Sequence, residues 1–99
     1  IPEYLQKAYY RLGISFYKLN RFGPAVEALK SARELFPDNS LRDWSDFLMI
    51  ESLEKLGDPL KVTEGLNRLL KNKNADDLTR QAAETKAKTQ EWEKQLKEG

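Results

Sequence analysis

The chain has no cysteine and no histidine among its 99 residues. Without cysteine there is no disulfide framework and no thiolate nucleophile, an absence that fits any redox compartment. Losing both residue types also removes the commonest metal ligands, the usual general base and the usual triad partner. No metal, cofactor or catalytic residue is therefore expected. Ser15-x-x-Lys18 spells the start of a serine acyl-transferase motif, but the partner motifs it needs are missing. Asp76 and Asp77 are adjacent; neighbours on a helix point apart, so they read as helix-start charges rather than an acid/base pair. A glycine-rich phosphate loop is also missing. We expect no enzyme activity. An excess of either charge sign is lacking too: 33% of residues are charged, yet the net charge is +1. A nucleic-acid or membrane-surface binder would show a strong basic excess. The cluster of Lys61, Arg68, Lys71 and Lys73 reads as a solvated helix end. No apolar run approaches the ~20 residues that span a bilayer, and no secretory leader lies within the chain. The first residue is Ile1 rather than Met, so a fragment or a processed product is expected.

What remains is helical. Only four prolines and five glycines occur, mostly between periodic apolar segments. Apolar residues recur at helical spacing from Tyr4 to Leu19, after Pro2. Pro24 opens a second helix that reaches Leu35. Ser40 and Asp43 form a capping-box pattern before a third, from Leu41 to Leu56, with Gly57 as its stop. Asp58-Pro59 starts a fourth helix, ending near Lys71. Asn74 is placed to cap a long last helix, Ala75 to Lys97, after the turn Asn72-Lys73-Asn74. No segment alternates with a period of two. An all-α chain of five helices follows.

Two of its loops align. "KLNRFGP" and "KLGDPLK" superpose Leu19 on Leu56 and Asn20 on Gly57. Working outward, Leu12 matches Met49, Gly13 matches Ile50, Phe16 matches Leu53, Ala28 matches Gly65 and Leu29 matches Leu66. The unit is a helix hairpin repeated every 37 residues. The run Tyr9-x2-Leu12-Gly13-x2-Phe16, then Ala25-x3-Leu29, Ala32 and Pro37 resembles the tetratricopeptide repeat. The second unit is degenerate: Ile50, Asp46 and Asn74 stand at the positions of Gly13, Tyr9 and Pro37. The resemblance implies an α-α superhelix. Two hairpins occupy residues 1–74, at about 3–36 and 41–72, and a capping helix occupies 75–99. Gly13, Ala25 and Ala28 then mark the close contacts, with Tyr9, Leu12, Phe16 and Leu29 as core. The long linker "FPDNSLRDWS" is similar to those in tetratricopeptide domains of bacterial envelope proteins, of the β-barrel-assembly lipoprotein and Tol–Pal-associated type. That likeness implies a periplasmic or cell-envelope setting.

A second face of each first helix is the candidate recognition surface. Tyr10, Ile14 and Tyr17 follow at helical spacing beside Lys18; Trp44, Phe47 and Glu51 follow in the second unit with Lys55. In tetratricopeptide arrays the equivalent face lines a concave groove. The resemblance thus implies a non-catalytic scaffold that binds a protein, as a peptide or a partner helix. Rigid aromatics would anchor it and the charges would set register. The rival reading is a homo-oligomeric assembly module with no foreign ligand, a homodimer being its simplest form. A further alternative is that the last helix covers Trp44 and Phe47. That helix carries Leu78, Ala82, Thr85, Thr89, Trp92 and Leu96 at four-three spacing, read as the seam that seals the array.

Overall fold

Proline or acidic side chains stand at the starts of several helices here, and left-handed residues follow two of them. The computed structural model describes residues 1–72 and 74–98. Among them are five helices and no strand: α1 (Glu3–Lys18), α2 (Phe22–Leu35), α3 (Arg42–Lys55), α4 (Pro59–Lys71) and α5 (Asp77–Glu98). Lys73, part of the expected turn and basic cluster, and Gly99 lie outside the described residues. The Asp58 side chain caps α4, its Oδ1 accepting from the Lys61 N–H at 3.3 Å. Asn20 (φ 61°) and Gly57 (φ 77°) follow α1 and α3 at matching points of the repeat, both in the left-handed region. Asn tolerates that conformation better than most residues with a Cβ.

Three helix starts differ from expectation. Helix α2 begins at Phe22, two residues before Pro24. The Ser40/Asp43 capping box does not form; Asn39 Oδ1 instead accepts from the Leu41 N–H at 3.0 Å and turns the chain into α3. Asn74 does not cap α5, which begins at Asp77; its N–H instead donates to Asn72 Oδ1 at 3.0 Å. Asp76 does so, taking the Thr79 N–H at 2.8 Å and the Thr79 hydroxyl at 2.9 Å.

Each helix packs on the next, and α1 also packs on α3 and α3 on α5, whereas α2 and α4 do not meet. This is the packing order of a helical repeat. Helix α3 sits at the centre, with Phe47, Leu48, Met49 and Ile50 all buried. Neighbours on several sides explain why its apolar pattern is spread round the helix rather than confined to one stripe. The two hairpins close by the same size rule with the roles exchanged. A Cβ on Gly13 would lie 2.5 Å from Leu29 Cδ2; a Cβ on Gly65 would lie 2.8 Å from Ile50 Cγ1. The small residue is on the first helix of one hairpin and the second helix of the other. Ile50 replaces the expected glycine because Gly65 makes room for it.

The expected core is corrected in α1. Tyr9 and Leu12 are about half exposed, at 48% and 53%, and Phe16 is only partly buried. Their counterparts on α3 lie beneath α2, and no described helix precedes α1 to cover them. Tyr10, expected on the recognition face, is fully buried instead. Its hydroxyl donates to the Phe36 carbonyl at 2.6 Å, tying α1 to the end of α2.

Candidate functional site

A groove of about 530 Å³ runs between α3 and α5. From α3 it takes Phe47, Glu51 and Glu54; from α5 it takes Gln81, Thr85 and Lys86, among others. The α5 side is built by an unexpected register. The body-facing residues are Thr79 and Ala83, both fully buried, then Lys86 at 12% side-chain exposure. These are small or polar, so a hydropathy pattern does not single them out. Their small size lets α5 approach α3 and α4 closely. Ala75 and Ala83 join the main core with Leu66 and Leu69. The expected seam is met only in part: Leu78, Ala82, Thr85 and Thr89 line the groove and Ala82 packs against the core, but Leu78, Trp92 and Leu96 are exposed.

Lys86 sets the electrostatics of the groove. Its ammonium lies 3.1 Å from Glu51 Oε1 and 2.9 Å from Glu54 Oε2. Burial works against the charged form, but hydrogen bonds to Glu54 and Glu51 outweigh it and raise the Lys86 pKa. Loss of solvation and the Glu51 carboxylate together raise the pKa of Tyr17, which places its ring beside this cluster. Trp44 stacks on Phe47 with ring centroids 5.4 Å apart.

The structure therefore brings Tyr17, Trp44, Phe47 and Glu51 together, with Ile14 half-buried against the core nearby in sequence. Tyr10 is withdrawn behind them. Lys18 and Lys55 are exposed in the last turns of α1 and α3 and do not line the groove. Glu54, Thr85 and Lys86 were missed by sequence reasoning. The only signal for Lys86 was its four-three spacing with Thr79 and Ala83, residues too small or polar to draw attention. Trp44 remains 40% exposed and Phe47 is 8% exposed. The last helix thus contributes a wall beside these rings and leaves the indole open.

A second, larger cavity of about 630 Å³ lies on the other side, in the gap between α2 and α4 above α3. Its polar groups mainly serve one another. Asp46 meets Arg33 at 3.4 Å and Arg42 at 3.8 Å, and Asn72 donates to Asp43 at 3.2 Å. Burial raises the Asp46 pKa despite both arginines. This cavity fills the repeat's built-in gap with structural ion pairs. Among the described residues, no group of three or more His, Cys, Asp or Glu side chains is arranged to hold a metal ion. No described helix is long and apolar enough to cross a membrane. The chain matches no protein-family model, no curated protein and no solved structure.

Alkaline titration checks the buried hydroxyl and the buried ammonium together. Burial first, then the Asp46 carboxylate, pushes the Tyr10 pKa from 10.0 to about 12. A raised folded-state pKa contributes stability that is complete below the unfolded value and lost as pH rises through the folded one. Lys86, also raised, acts in the same direction. Stability should therefore fall across about pH 10 to 12, with Tyr10 the last tyrosine to ionise by ultraviolet absorbance. A denaturation midpoint that stays flat over that window would contradict the burial of Tyr10.

Proposed function

We propose that this chain is a non-catalytic interaction scaffold of the tetratricopeptide type, holding a peptide or partner helix in the α3–α5 groove. The observation that carries the proposal is the joining of an aromatic cluster to an acidic groove. Glu51, Glu54 and Glu93 line it with a single ammonium, Lys86, which Glu51 and Glu54 bind. Beside them lie Tyr17 and the Trp44–Phe47 stack. Such a surface suits a ligand with an apolar anchor next to a lysine or arginine. Ile14 supports the Tyr17 side of the surface. Lys18 and Lys55, at the ends of α1 and α3, would take an acidic group at one end of a longer ligand.

Selection of binders from a random displayed peptide library tests the proposal. Enriched peptides should carry basic residues beside aromatic or aliphatic ones. Binding should change tryptophan fluorescence through the stacked Trp44. Thr85→Arg, which fills the groove and reduces its negative charge, should weaken binding at least about tenfold, or ~1.4 kcal/mol. Tyr17→Ala should cost more than ~1 kcal/mol of binding. Peptides that bind Thr85→Arg as tightly as the unaltered chain would remove the groove from the proposal.

A further inference from the structure

The two ends of the helix array each leave an apolar stripe uncovered. On α1 the stripe is Leu5, Tyr9 and Leu12, exposed by 43%, 48% and 53%, with the small Ala8 among them. On α5 it is Leu78, Thr85, Trp92 and Leu96, with both leucines and the indole more than 60% exposed. A stretch this apolar on a solvated helix marks an interaction surface. Within the array, the face of α3 equivalent to the α1 stripe does carry a helix. Asp46, the counterpart of Tyr9, is bound by Arg33 of α2 at 3.4 Å, and Met49, the counterpart of Leu12, is 8% exposed. The α1 face thus has the position of a helix-docking surface and is more apolar than the one in use.

The charges beside the stripes identify the occupant. Along α1, Arg11 and Lys18 each immediately precede a stripe-side leucine, Leu12 and Leu19. Along α5, Glu84 and Glu91 immediately precede Thr85 and Trp92. All four are exposed, and none forms an ion pair with another described residue. Both pairs have a spacing of seven residues. Each pair lies on the same side of its own stripe. Same-side flanks of two facing helices meet when the helices run antiparallel. We propose that the chain associates head to tail, the α1 stripe of one copy docking antiparallel on the α5 stripe of the next. Arg11 and Lys18 then face Glu84 and Glu91. Such a contact is heterologous and builds rows rather than closed pairs. The docked helix borders the groove of that copy, because Leu78 and Thr85 line the groove as well.

The test is molar mass by light scattering and sedimentation over a wide concentration range, with Leu12→Glu and Trp92→Glu. Both sites are exposed, and circular dichroism confirms that each variant folds. The unaltered chain should grow in mass with concentration and shrink toward the monomer with added salt. Each variant alone should be monomeric. Mixed, they should form one dimer of twice the monomer mass, because each supplies the stripe the other has lost. Arg11→Glu should weaken association, and Glu91→Arg, its antiparallel counterpart in the partner copy, should restore it. A monomer at the highest concentration overturns the proposal. So does association that survives Leu12→Glu alone, which marks α5 pairing with α5, or Trp92→Glu alone, which marks α1 pairing with α1.

Discussion

Tyr10→Ala is expected to destabilise the fold by about 3–5 kcal/mol, the range for truncating a buried aromatic. The ring is fully buried, and its hydroxyl holds the Phe36 carbonyl at the point where α2 ends. Truncation opens a cavity and removes the shorter of that carbonyl's two hydrogen bonds, the other coming from the Asn39 N–H at 3.3 Å. At ~4–8 °C per kcal/mol for a domain of this size, the melting temperature should fall steeply. Tyr10→Phe separates the two terms. It keeps the ring and loses the hydrogen bond, for about 1 kcal/mol. Tyr17→Ala should cost clearly less than Tyr10→Ala, because that ring is only partly buried. Calorimetric melts of the three variants check the order. Equal losses for Tyr10→Ala and Tyr17→Ala would mean that Tyr17 is core and lacks a binding role.

Gly13→Leu is the second large effect. A Cβ there would already stand 2.5 Å from Leu29 Cδ2 and 3.0 Å from the Leu29 backbone nitrogen. Leu29 is fully buried and has nowhere to retreat. Overpacking of this kind costs ~1–3 kcal/mol or more. It opposes the gain of about 1 kcal/mol from removing a glycine inside a helix. The clash should prevail, because the contact includes backbone as well as side chain. The second hairpin supplies its own rescue. There Ile50 occupies the place of Gly13, and Gly65 that of Ala28. Gly13→Ile should therefore destabilise by itself, and adding Ala28→Gly should recover part of the loss. Chemical denaturation of the single and double variants decides it. A Gly13→Ile chain as stable as the original would show that the hairpin is not closed by this contact.

The helices and their repeat were legible in the sequence because their signals are local. Helical spacing of apolar residues, Asp58-Pro59 at the start of α4 and Gly57 after α3 each depend on the backbone within a turn or two. Gly13 as a close contact of the first hairpin was legible as a size rule, since close helices need a small residue on one side; that Leu29 stands opposite it came from the structure. Asn20 and Gly57, aligned by sequence, share a left-handed backbone because both must release a helix at the same place in the unit.

Which apolar face of a helix becomes core was decided only by the tertiary structure. Helix α1 is apolar around more than half its girth. Sequence alone assigned Tyr9 and Leu12 inside and Tyr10 outside; the packing of α2 and α3 did the reverse. In α5 the obvious stripe of Leu78, Trp92 and Leu96 stayed in solvent, while Thr79, Ala83 and Lys86 met the body. Burial depends on where neighbouring helices lie, and a one-dimensional pattern does not contain their positions. The same holds for the groove. Lys86 is distant in sequence from Glu51 and Glu54, and the contact between α3 and α5 brings its charge within 3.1 Å of both.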